Sequence, residues 1–383
     1  MKILYISKSV IPSRTANSIQ VMKMCQAFSD NGHEVVLLAP DLKTQYEKNV
    51  DNIYKYYGVR KNFEVKKLWH PDIRSGALLY TLAIFFYLIF KKKYNLVYGR
   101  FLHGCYVAVL LKNKVIFESH ERIFDNKNHR IIVFKKLIRN KYFKKLIVIS
   151  NALKNMYLKK GFLNENKIQV AHDGADNVVD LNYKIKLLGS NKNLKVGYVG
   201  HLYKGKGMEV ISLMANKLDK DIEIHIIGGL EKDIKLWKKK IISKNVYFYG
   251  FVPHKEVSKY INAFDVCLLP NQKIIFPYSF DSSKKNGVNI STFTSPLKLF
   301  EYMSHKKAII ASDLTVIREV LNRKNSILVK YNDIKSWISS IKKLKKLKNR
   351  KLIANQALKD FYNYSWKNRA SKLLNNIDQN IQI

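Results

Sequence analysis

The sequence predicts an α/β protein made of two Rossmann-like, doubly wound domains. Three observations carry this. Short apolar runs alternate with stretches of helical period along most of the chain. The alternation breaks once, across residues 171–193, into mixed polar sequence, and then restarts. The 383 residues suit two domains of ordinary size, and 47% hydrophobic content is enough to fill their cores.

Taken in order, residues 3–6 read as the first strand. A helix over 18–29 follows, with Val21, Met24, Cys25 and Phe28 on one face and Asn31-Gly32 as its stop. Further strands are expected at 34–39, 63–68, 96–98, 115–117 and 146–149, with helices over 77–90, 101–111, 128–143 and 152–160. After the break come strands at 195–199, 223–227, 246–249 and 266–269, separated by helices over 207–218, 231–242 and 255–263. Segment 271–292, with Pro277 and Gly287, shows no period and reads as a loop near a site. A helix should start at Ser295, a good N-cap, with Pro296 at the first helical position. Strands at 308–311 and 327–329 and helices over 315–321, 334–347, 351–362 and 364–374 complete the pattern. The division expected is residues 1–178, residues 179–362, and a C-terminal helix over 363–383 that returns to the first domain. In such domains ligands bind beyond the carboxyl ends of the strands.

The net charge of +40 implies an anionic partner: nucleic acid, an acidic membrane surface or phosphorylated substrates. Between residues 126 and 164 there is no acid at all. No zinc spacing, aromatic RNA-binding motif or discrete basic recognition helix accompanies the charge, so nucleic acid is not the expected partner. Cys25, Cys105 and Cys267 sit in apolar segments and read as buried thiols of a cytoplasmic protein. The most apolar stretch, residues 76–90, is shorter than the ~20 residues of a membrane span. It reads first as a core helix. The alternative is a helix lying on a membrane surface, with Lys91, Lys92 and Lys93 at the headgroups.

Several residues carry chemistry. The free N–H groups from Ser295 to Lys298, at the start of a helix, form an anion site, and Glu301 shares the face of Leu297 and Lys298, within reach of a ribose. Gly200 lets backbone approach a phosphate, and Lys206 can supply a point charge. His120, at a strand end in Phe117-Glu118-Ser119-His120, could share a proton with a substrate, and Arg100 could clamp an anion or pair with Glu118.

In their order along the chain, these landmarks resemble family 4 of the retaining glycosyltransferases, also called group 1. The resemblance implies the glycosyltransferase B (GT-B) fold, two Rossmann-like domains facing across a cleft. It implies a nucleotide diphosphate sugar as donor, no cofactor and no metal. The family pattern of two glutamates separated by seven residues places its second on Glu301 and its first on Phe293, a departure. His201 stands where the family has an arginine, and Asn17-Ser18 where it has two glycines. The resemblance assigns His120 and Lys206 to catalysis. It assigns Gly200, His201, Lys206, Phe251, Ser295, Leu297, Lys298 and Glu301 to the donor, and Arg14, Asn17, Ser18 and Arg100 to the acceptor.

The function expected is transfer of a sugar to a glycan or lipid-linked acceptor with retention, in surface polysaccharide assembly, at the cytoplasmic face of the membrane. Alternatives are a nucleotide-sugar epimerase or hydrolase of the same fold, or a basic nucleic-acid-binding protein.

Overall fold

The computed structural model describes residues 1–44, 47–91, 94–125, 129–276 and 288–378. It divides into two compact units, residues 1–172 with 366–383, and residues 173–365.

Unit 1 runs β1 (Lys2–Ile6), α1 (Ala16–Asp30), β2 (Glu34–Pro40), α2 (Ile53–Tyr57), β3 (Glu64–Leu68), α3 (Gly76–Phe90), β4 (Leu96–Gly99), α4 (Leu102–Leu110), β5 (Val115–Ser119), α5 (His129–Arg139), β6 (Phe143–Val148), α6 (Asn151–Lys159) and β7 (Ile168–Val170). Its strands form one parallel sheet in the order β3-β2-β1-β4-β5-β6-β7. Unit 2 runs β8 (Leu194–Val199), α7 (Met208–Ala215), β9 (Ile222–Ile227), α8 (Glu231–Lys240), β10 (Val246–Gly250), α9 (His254–Ala263), β11 (Val266–Leu269), α10 (Leu297–Ser304), β12 (Ala308–Ser312), α11 (Thr315–Arg318), β13 (Ile327–Val329), α12 (Ile334–Lys343) and α13 (Leu347–Phe361). Its parallel sheet has the order β10-β9-β8-β11-β12-β13. The last helix, α14 (Trp366–Asp378), belongs to unit 1, where it packs on α1.

The central strands are buried at every residue, as expected for a parallel sheet with helices on both faces. The helix starts follow local chemistry. The Thr15 hydroxyl accepts from the Ser18 N–H at the start of α1, and Ser150 does the same for Leu153 at α6. Gly32, at φ +85°, takes the left-handed turn that lets the chain leave α1 for β2. All three cysteines are buried and unpaired.

Four sequence expectations need correction. The helix expected over 128–143 ends at Arg139, and Phe143 already opens β6, whose first residues include two lysines that mask it. The short strand β7 was not foreseen, because three residues carry too little period. The helix expected at Ser295 begins at Leu297 with Pro296 as N-cap, and the Ser295 hydroxyl instead accepts from the backbone N–H of Asp173. Finally, α3 is not a core helix: only Gly76, Tyr80 and Ile84 are buried, while Leu78, Leu82, Phe86, Ile89 and Phe90 lie exposed. Lys92 and Lys93, Asn128, and Pro277 and Gly287 of the expected loop lie outside the described residues.

Candidate functional site

Both sheets reverse their strand order at one point, between β1 and β4 in unit 1 and between β8 and β11 in unit 2. The crossover connections diverge there and leave a crevice at the carboxyl ends of the strands. The residues singled out by sequence gather at these two ends.

In unit 2, Gly200 follows β8 at φ +136°, a conformation that side chains disfavour. A Cβ here would stand 3.3 Å from Lys298 Nζ. Gly207, the N-cap of α7 at φ +103°, packs on Pro270, directly after β11, where a Cβ would come within 2.3 Å of the proline. Glycine at both positions therefore keeps the loop between β8 and α7 close against the strand ends.

Three basic groups crowd this end. Lys298 Nζ lies 3.9 Å from the centre of the Tyr198 ring, is buried, and among the described residues has no hydrogen-bond partner. An ammonium left so is costly, and the ring face offsets only part of the cost. Burial first, then Lys206, pushes the Lys298 pKa well below the usual lysine range, with Glu301 acting the other way. Lys206, half-buried with its Nζ 5.3 Å from the Tyr203 ring centre, is lowered to about 8 by desolvation. His201 stands at the rim with much of its surface open. Desolvation, Lys206 and Lys298 lower its pKa; with the ring this open the direction rests on the two lysines. The imidazole is thus neutral at physiological pH and offers an N–H without charge.

Glu301, on the second turn of α10, is bonded to His254 Nε2 at 2.8 Å. His254 opens α9 after Pro253, and sequence reasoning missed it: a lone histidine in a polar stretch carries no local signal of the glutamate 47 residues on. Leu297 and Lys298 form the first turn of α10, where backbone N–H groups lack helical acceptors. Tyr302 anchors the same helix to β8 by accepting from the Val199 N–H at 2.9 Å. Phe251 follows β10 with 39% of its surface exposed. Phe293 is 2% exposed, a core side chain rather than a polar one replaced. The structure thus brings Gly200, His201, Lys206, Lys298 and Glu301 to one end of sheet 2, whereas Ser295 serves the turn at Asp173.

In unit 1 the centre is Glu118, at the end of β5 and 1% exposed. Its carboxylate accepts from Gln20 Nε2 at 3.0 Å, Arg369 Nη2 at 2.8 Å and the Tyr98 hydroxyl, and it is bonded to His120 Nε2. Burial pushes its pKa up, but Arg369, His120 and Arg100 outweigh that and hold it well below the usual range. His120 is therefore oriented by an ionised carboxylate. Arg100 Nη1 donates to Gln20 Oε1 at 2.6 Å, so it joins the same network one residue removed from Glu118. The other expected acceptor residues fare differently. Arg14 Nε donates to the buried Glu47 at 2.7 Å, and the Ser18 hydroxyl bonds the Ser13 and Thr15 carbonyls. Asn17 is exposed on the first turn of α1.

Comparison with known proteins adds the following. Residues 18–177 match Glycosyltransferase Family 4, and residues 193–346 match Glycosyl transferases group 1. An uncharacterised glycosyltransferase of Methanocaldococcus jannaschii is 26% identical over 367 residues, covering 88% of each chain. The structure of Anabaena Alr3699/HepE in complex with UDP matches at a TM-score of 0.73 and 14% identity, covering 99% of this chain and 100% of that one. The lipopolysaccharide outer core galactosyltransferase WaaB, in its apo form, matches at a TM-score of 0.66 and 15% identity, covering 99% and 100%.

Proposed function

Given that the chain belongs to the group 1, family 4 glycosyltransferases and has their GT-B fold, we propose that it moves a sugar from a nucleotide diphosphate sugar to a glycan or lipid-linked acceptor, with retention of configuration. The observation that carries this is Lys298: a buried amine with no hydrogen-bond partner among the described residues, beside a glycine that keeps the space next to it open. Such a group is stabilised when an anion arrives, and a diphosphate is the anion that this crevice suits.

In this reading Lys206 and Lys298 take the diphosphate, the neutral His201 donates one hydrogen bond, and the open first turn of α10 adds N–H groups from Leu297 and Lys298. Gly200 admits the phosphate to the backbone. Glu301, held by His254, accepts from the ribose hydroxyls, and Phe251 offers a face to the base. As the glycosidic bond breaks, negative charge grows on the diphosphate, and cations already in place lower the barrier. The two lysines supply that charge, so transfer without a metal or cofactor is the reading. UDP-sugars are the first donor class to test, since the Anabaena protein was solved with UDP and with UDP-glucose.

His120, oriented by Glu118, is the group of unit 1 that would handle a proton or hydroxyl of the acceptor. Arg100 joins the same network through Gln20. Two observations favour a lipid-linked acceptor of surface polysaccharide assembly and peripheral attachment to the inner membrane face. The exposed apolar face of α3 is followed by the exposed Lys91, and the net charge is +40. Among the described residues no helix is long and apolar enough to cross a membrane. The fold shared with a lipopolysaccharide galactosyltransferase supports the same pathway class.

The test is a screen of nucleotide sugars for nucleotide release, with membrane lipid extract as acceptor. Calorimetric titration of the same donors giving no heat with any of them would overturn the reading.

A further inference from the structure

The switch point of unit 1 holds a second group of basic side chains that the donor site does not use. Lys8 lies two residues beyond β1, and His103 sits in the first turn of α4, which follows β4. His129 and Arg130 open α5, which follows β5. In the sheet β1, β4 and β5 are consecutive neighbours, so all four groups stem from the carboxyl ends of three adjacent strands. The rings of His103 and His129 approach to 5.3 Å between centres. Among the described residues, the side chains of Lys8, His103 and His129 have no hydrogen-bond or ion-pair partner, and Arg130 pairs with Glu121 alone. The groups feel one another: burial, then His129, Arg130 and Lys8, lower the His103 pKa, and burial, then Arg130, lower that of Lys8.

We propose that Lys8, His103, His129 and Arg130 form a binding site for a phosphate or diphosphate group of the acceptor at the β1/β4 switch point of unit 1. The physical case has three parts. Lys8 and Arg130, held beside two imidazoles against one carboxylate, repel one another, and that repulsion becomes attraction when an anion binds between them and accepts from the imidazole N–H groups. Helices α4 and α5 both begin here, so their positive dipole ends add to the field. And the reversal of strand order is where a doubly wound sheet opens a crevice for a ligand. Unit 2 shows the same arrangement at its own switch point, where Lys206, Lys298 and His201 crowd together. The proposal rests on reading unit 1 as the acceptor-binding unit, and it specifies the chemistry of that acceptor.

The probe is inorganic pyrophosphate, added to the full-length protein with UDP already saturating unit 2. Proton NMR reads the imidazole signals of His103 and His129, assigned by His103→Gln and His129→Gln. Both signals are expected to shift saturably. Lys8→Gln with Arg130→Gln should weaken the apparent affinity about tenfold or more, since two charge-assisted hydrogen bonds are lost. Lys8→Arg with Arg130→Lys should keep most of it, and UDP affinity should be the same in all variants. No shift of either imidazole, or equal affinity in the Lys8→Gln, Arg130→Gln variant, overturns the proposal. If UDP itself fails to bind, the donor reading falls, and the pyrophosphate shifts still decide this one. Vesicles of phosphatidylcholine with and without phosphatidic acid separate the two sources of phosphate. Release of the protein from acidic vesicles by pyrophosphate assigns the site to a lipid headgroup. Pyrophosphate binding that leaves vesicle partition unchanged assigns it to a phosphorylated acceptor.

Discussion

Arg369 Nη2 donates to Glu118 Oε1 at 2.8 Å, joining the last helix to the end of β5 across 251 residues of sequence. Both side chains are almost wholly buried, at 3% and 0% exposed. The same guanidinium also donates to the carbonyls of Ala171 and His172. One arginine thus neutralises the carboxylate that orients His120 and ties down the chain where unit 1 ends its first pass.

Arg369→Met should therefore destabilise unit 1 by about 3–5 kcal/mol, since it leaves a buried carboxylate without its counter-charge. Urea unfolding followed by circular dichroism measures this. The pH dependence has a definite sign. The folded carboxyl of Glu118 is held below its unfolded value, so its stabilisation is present above the ordinary glutamate pKa. It is lost as the pH falls from there through the folded pKa. Glu118→Gln should flatten that acid limb of the stability profile.

If Lys206 and Glu301 hold the donor as proposed, Lys206→Ala combined with Glu301→Ala should reduce transferase activity by well over about tenfold, because each then removes a charge-assisted contact to the donor. A smaller loss would refute the assignment of these two residues to the donor.

Lys206 contributes its own limb to the pH dependence of donor binding. Its pKa is about 8 in the free protein, and a bound diphosphate must raise it. The Lys206 contribution to UDP affinity should then be constant below about 8 and weaken as the pH rises from there to the bound-state pKa. Lys206→Arg, always charged, should lose this slope. Calorimetry across that range reads both proteins.

His254→Ala should raise the KM for the donor by about tenfold, as Glu301, the carboxylate proposed to meet the ribose, loses the histidine that orients it. A merely structural role would weaken UDP and its deoxyribose analogue alike. If His254 orients Glu301, the native protein should prefer UDP over deoxyuridine diphosphate in competition binding, and the variant should lose that preference.

Leu82→Glu with Phe86→Glu should abolish flotation with phosphatidylglycerol vesicles and leave the melting temperature within a few degrees. These side chains are 45% and 53% exposed, so their replacement costs the core little. Unchanged flotation would remove α3 from the membrane reading.

Much of the architecture was legible in the chain. The fully apolar runs of β4 and β11 and the helical periods between them require a parallel sheet covered on both faces, because only burial on both sides suits such strands. Gly200, Lys206, Lys298 and Glu301 were legible because each sits a fixed distance from a strand end or a helix start. Phe293 was misleading: as a motif position it suggested a lost polar group, while in the structure it is core. The α3 segment misled through composition, since its 15 residues are so uniformly apolar that no face stands out as the buried one.

What the sequence determined by itself was local: periodicity, caps and glycine turns, all set by interactions within a few residues. What only the tertiary structure decided was which side chains meet. Strand order brought Lys8, His103 and Arg130 to adjacent strand ends, the return of α14 delivered Arg369 to Glu118, and the packing of α9 beside α10 gave Glu301 its histidine. These partners are separated by tens to hundreds of residues. Hydrophobic burial, which is non-directional, fixes the elements they ride on, and the meeting of the charges follows from that packing without leaving a mark in the local sequence.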